Sequence, residues 1–248
     1  MRKNKFMKEF EGELKSIFPN KLIEKSKNND FDNFFLVLGL IFNDFKDIIL
    51  FNELIHETYL KPKLDGSEPP SVHLGHWGGI QNHLNRLMVG LISEFLIFLD
   101  KNKKTINSIS FKLFVKNLPH DVRQDWNKIQ NVLQDSDSKD FLSKIAEIRS
   151  NVTFHYDQSL TQLRIGFIEK FITSTKNNYN KQAFYSLGNT IQTTRFYYSD
   201  GAAEEYVKKE MKYLSNENYN KEMRELVDKT NTTIRFMMEH YLKQKIKK

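Results

Sequence analysis

An all-α fold is what this sequence predicts, and three observations carry that expectation. Only ten glycines and five prolines punctuate 248 residues. Turn signals of the Asn-Gly kind between alternating strands are missing. Long stretches instead repeat apolar residues every three or four positions, the period of a helix with one buried face. A hydrophobic share of 39% is enough for a real core.

The first long helix is expected over 31 to 60, on the stripe Phe34, Leu38, Ile41, Phe45, Ile48, Ile55 and Tyr59, with Asp30 as its N-cap and Gly39 as its weak point. "KPKLDGSEPPSVHLGHWGG" then breaks the period with three prolines and four glycines and reads as an irregular loop. A second helix follows through Ile80, Leu84, Leu87, Leu91, Phe95 and Phe98, making a helical hairpin.

From Lys101 to His120 the chain carries five lysines and no acid, which reads as a solvated basic connection with phosphate contact as the alternative. "DSDSKD", residues 135 to 140, supplies N-caps and negative charge for the next helix. Its stripe, Leu142, Ile145, Ile148, Val152, Tyr156, Leu160, Leu163, Phe167 and Phe171, predicts one continuous helix of about 35 residues. "TSTKNNYNKQ" is a connection. Beyond it, "RFYYSDGAAEEY" is assigned to core packing over base stacking, and a last helix follows the stripe Tyr219, Met223, Leu226, Thr230, Ile234, Met237 and Tyr241. The tail "KQKIKK" is expected to fray.

The totals also limit function. The longest apolar run, "FFLVLGLIF", is about half of the roughly 20 residues a membrane span needs, and the charged start is unlike a signal peptide, so a soluble, cytoplasmic protein without a membrane role is expected. The absence of cysteine excludes disulfides, thiolate metal sites and a cysteine nucleophile. A net charge of +7 favours a polyanionic partner or serves solubility. His73, His76 and His83 surround Trp77, but no HExxH pattern or carboxylate set accompanies them, and neither a metal nor a cofactor is assigned.

The stretch "RSNVTFHYD" stands out within the apolar stripe. At about 100° per residue, Arg149 falls near the middle of the face that Ile145, Val152 and Tyr156 define, and His155 lies about 120° round from it. A guanidinium facing dry interior is costly, so Arg149 requires either a carboxylate from another helix or a face that opens onto a pocket. Histidine exchanges a proton near neutral pH, and arginine's planar fork suits phosphate oxygens.

That stretch resembles the HEPN superfamily motif, an arginine, four to six residues and a histidine, here with five between Arg149 and His155 and the ending Phe154, His155, Tyr156. The resemblance extends over about residues 30 to 175, including "NRLMVGLISEFLIFLD", and loosens from 176 on. It implies a HEPN-like helical domain over 1–175, a bundle of long antiparallel helices, with 176–248 as an additional C-terminal helical segment packed on it. It further implies a homodimer with the motif at its interface, RNA as partner, and a metal-independent endoribonuclease of the abortive-infection, antiphage type in which Arg149 and His155 are catalytic. Ser150, Asn151 and Tyr156 would support them. An antitoxin or regulatory partner is a further implied partner.

Many members place asparagine directly after the arginine, where this chain has Ser150 with Asn151 next, and Asp157 stands where some members carry a modified tyrosine. His83, Arg86, Lys101, Lys103 and Lys104 are candidate RNA contacts. The alternatives are a non-catalytic HEPN dimer that binds nucleotide, RNA or a protein, and a helical bundle in which Arg149 is only salt-bridged.

Overall fold

The computed structural model describes residues 14–23, 29–63, 65, 67, 69–131, 143–153, 161–173, 182–191, 194–212 and 219–247. These residues are helical throughout most of their length, and the one pairing of extended backbone among them is a bridge between Ser186 and Arg195. The fold is all-α.

A short turn, α1 (Pro19–Leu22), precedes the first long helix, α2 (Asp30–Thr58). Its cap is Asn29, whose side chain accepts from Phe31 N at 3.1 Å. Asp30 is therefore the first helical residue and not the N-cap: an asparagine one position earlier reaches the free N–H groups, and Asp30 serves the helix dipole. Phe34, Leu38 and Phe45 are fully buried, whereas Tyr59 lies past the helix end and is exposed. Gly39 does not interrupt the helix and packs against Met238.

The second long helix, α3 (Val72–Lys101), starts earlier than expected. Ser71 caps it through Leu74 N, so "HLGHWGG" is helix and not loop. Its glycines serve contact: a Cβ at Gly75 would stand 2.6 Å from the Tyr197 ring, and one at Gly79 2.3 Å from the Arg195 guanidinium. Tertiary packing overrides their low helix propensity.

Residues 103–116 fold as α4 (Lys103–Ile106) and α5 (Ile109–Lys116), which bury Thr105, Ile106, Phe111 and Phe114. The basic stretch is thus an amphipathic pair of turns, with lysines outward and aromatics inward, and not a solvated connection. α6 (His120–Asn131) adds Val122, Trp126 and Ile129 to the same core.

The next segment, α7 (residues 143–153), is helical and ends as a π turn over Arg149–Thr153. α8 (Gln162–Phe167) likewise runs on as a π turn over Ile168–Thr173. The uniform helix expected here is therefore widened at two places. Leu142, Phe154, His155, Tyr156, Asp157, Leu160 and the 135–140 caps lie outside the described residues.

α9 (Tyr197–Lys212) packs on α8 and α3, and α10 (Tyr219–Lys247) packs on α2 and α6. Phe196 is about half exposed, so the aromatic run does not enter the core as a unit. α10 continues through "KQKIK" instead of fraying, because Lys245 pairs with buried Asp32 at 2.6 Å and is held over the Tyr241 ring. Tyr241 stacks on Phe35 with ring centroids 4.4 Å apart and donates to Asp32 Oδ1 at 3.0 Å. Among the described residues no helix is long and apolar enough to cross a membrane.

Candidate functional site

α7 runs against α3 in the antiparallel sense, Arg149 meeting Glu94 and Thr153 meeting Arg86. Ile145 and Ile148 are completely buried and Val152 nearly so. Arg149, within that stripe, is still 26% exposed and gives its Nε–H to the carboxylate of Glu94 on α3. One turn on, Thr153 Oγ1 donates to the Arg86 carbonyl at 3.1 Å. Gly90, midway between these two contact positions on α3, is buried.

The sequence left Arg149 with two outcomes, and the structure shows elements of both: a carboxylate partner on another helix, and a position at the solvent boundary. Glu94 itself was not foreseen. It is the single acid between Val72 and Leu99, and that isolation is the sequence signal that could have found it.

Asn151 turns the other way, toward α9. Its Nδ2 donates to the Tyr206 hydroxyl at 2.8 Å, and that hydroxyl donates to Glu147 Oε1 at 3.3 Å. Lys144 closes the network through Glu210 at 2.7 Å and Glu147 at 3.5 Å. Burial, opposed by the Asn151 bond and reinforced by the Glu147 and Glu210 charges, pushes the Tyr206 phenol well above its ordinary range, so it stays a neutral donor. The bond to Glu210 raises the Lys144 pKa, favouring the ammonium form. This network fixes the turn that carries Arg149. Ser150 is exposed and contributes no bond to it that the geometry displays.

Nearer the start of α3, Arg195 donates to Asp200 Oδ2 at 2.8 Å, and Arg86 lies 3.9 Å from the other carboxylate oxygen. His83 faces this group. Loss of hydration, then the Arg86 and Arg195 cations, lower its pKa against the opposing pull of Asp200. The charged imidazolium of His83 is thus disfavoured beside these two cations.

The remaining candidates divide. Lys101, Lys103 and Lys104 are exposed at the far end of α3 and in α4, with Lys103 paired to Asp100 at 2.5 Å. The structure does not bring them to Arg149, since Lys101 is seven residues beyond Glu94, about 10 Å along the axis. His73 donates Nε2–H to the Leu60 carbonyl at 2.6 Å and His76 packs edge-on against Tyr197. Among the described residues no three metal-ligating side chains converge.

Searches among protein families, curated proteins and solved structures return no match to this chain.

Proposed function

We propose that the protein is a HEPN-type, metal-independent endoribonuclease, acting as a dimeric toxin or antiphage effector. The observation that carries this reading is the placement of Arg149: a permanent cation set on an otherwise buried stripe, at the head of a π turn, with part of its guanidinium in reach of solvent. π turns inside helices concentrate at functional sites. Two independent contacts, Thr153 to α3 and Asn151 to α9, hold that turn in place.

The chemistry assigned to the pair is as follows. His155 takes the proton of a ribose 2′-OH, and the resulting oxygen bonds to the adjacent phosphorus. Arg149 stabilises the charge that builds on the phosphorane. The bond to the 5′-oxygen breaks, and that oxygen takes its proton from the histidine of a second copy, which leaves a 2′,3′-cyclic phosphate and a 5′-hydroxyl. Glu94 holds the guanidinium until a phosphate oxygen competes for it.

Incubation of RNA in EDTA with the natural chain, Arg149→Ala and His155→Ala tests this. Cleavage that falls at least about a hundredfold in both variants is expected; equal cleavage by all three excludes the mechanism. One observation favours the second reading, a HEPN dimer that binds RNA, nucleotide or protein without cutting: the Arg149 guanidinium already has a carboxylate. That reading predicts salt-sensitive binding with no cyclic phosphate among the products.

A further inference from the structure

Two adjoining cavities open where the start of α2, the start of α5 and the end of α10 meet. They measure about 320 and 450 Å³ and share Asn29, Phe31 and Ser110 as a common wall. Each is the size of a small-molecule site. Arg149, Glu94 and His83 line neither of them.

The two halves differ chemically. The first has an apolar wall from half-buried Phe31 and exposed Leu113, backed by buried Phe114, and the side chains of Asn117 and Gln244 also line it. Its charges are already satisfied, because Asp32 is bonded to Lys245, Tyr241 and Asn29 at 2.6, 3.0 and 2.9 Å. A flat ring with polar edges matches such a wall, since aromatic faces stack on bases and amides read their edges. The second half presents the Lys104 amine and the hydroxyls of Ser108 and Ser110, which lie 3.1 Å apart. An ammonium beside two hydroxyls suits phosphate oxygens. Asp30, which also lines that half, favours a ribose hydroxyl there over a second anionic group.

We infer that this double cavity binds one nucleotide unit, with the base against Phe31 and Leu113 and the phosphate at Lys104 and Ser110. The unit is either a free nucleoside monophosphate or one residue of an RNA strand. The inference stands apart from the cleavage assignment, because it needs neither Arg149 nor His155.

Titration of the full chain with AMP, GMP, CMP and UMP, with inorganic phosphate and with a short single-stranded RNA, read by calorimetry, tests it. At least one nucleotide binds, and Lys104→Ala and Ser110→Phe each weaken it about tenfold or more while thermal melting stays unchanged; both positions are exposed, so the fold tolerates them. If the RNA also weakens in Ser110→Phe, the strand is a source of the nucleotide; if only the monophosphates do, the ligand is free. Absence of nucleotide binding at millimolar concentration, equal binding by both variants, or phosphate binding as tightly as the nucleotide overturns the inference. Binding of the monophosphates is read without any cleavage step, so a failed nuclease assay leaves this result intact.

Discussion

Arg149 of α7 donates its Nε–H to Glu94 of α3, and this pair sits at the protein surface, with the arginine 26% and the glutamate 41% exposed. Exposed ion pairs contribute at most about 1 kcal/mol. The pair therefore holds a side chain more than it holds the fold.

Glu94→Gln is accordingly expected to move the melting temperature by no more than about 4 °C. It removes a negative charge beside the guanidinium, so under the proposed function any RNA affinity is expected to rise, by roughly two- to fivefold at low salt. Differential scanning fluorimetry and fluorescence anisotropy check the two halves. A large loss of stability, or weaker RNA binding, would assign Glu94 a different role.

Two glycines separate the effects of space and of backbone freedom. A Cβ on Gly166 stands 2.1 Å from the Ala202 carbonyl oxygen, and that is backbone, so α8 and α9 must part. Gly166→Ala is expected to cost about 2–3 kcal/mol. Gly78, inside α3, has nothing within 4 Å of such an atom, and Gly78→Ala gains about 0.5–1 kcal/mol from helix propensity alone. Urea melts of the two proteins should move in opposite directions.

These glycines also explain what the sequence revealed and what it withheld. The stripes of α2, α3 and α10 were legible because a buried helical face writes itself in steps of three and four: Phe34, Leu38 and Phe45, or Ile234, Met237 and Tyr241. The start of α3 was not, because Gly75 and Gly79 look like breakers until Tyr197 and Arg195, more than a hundred residues away, are seen to fill the space. The basic stretch from Lys101 concealed α4 and α5 for a related reason, since a turn or two of helix is too short for a period to show. At the candidate site the sequence singled out Arg149 as a charge on an apolar face, yet neither Glu94 as its partner nor Tyr206 as the partner of Asn151 could be assigned from spacing, as both contacts are long-range.

Tyr206 is completely buried, and its hydroxyl accepts from Asn151 and donates to Glu147. Tyr206→Phe keeps the ring and leaves the Asn151 amide without that acceptor, a loss of about 1–3 kcal/mol in chemical denaturation. Because Asn151 lies in the Arg149 turn, the same variant is expected to lower any RNA cleavage at temperatures where it is still folded, through kcat rather than KM. An unchanged kcat would detach the network from the site.

His83 gives a pH dependence whose sign follows from its surroundings. Loss of hydration and the Arg86 and Arg195 cations hold its folded pKa below the unfolded value of 6.5. The unfolded chain then binds more protons across that interval, so stability is full above about pH 6.5 and falls as pH drops toward the lowered folded value. His240, shifted the same way by burial and then by Lys243 and Lys247, adds to the slope, while Glu204, held low by Lys208 and Lys170 despite its burial, acts only at more acid pH. Melting temperatures of the natural chain and of His83→Gln, taken between about pH 5 and 7.5, should converge near neutrality if the amide is tolerated and diverge below pH 6.5, with the variant the less sensitive to acid. Parallel curves across that range would mean that His83 titrates as a free imidazole and that the two arginines do not reach it.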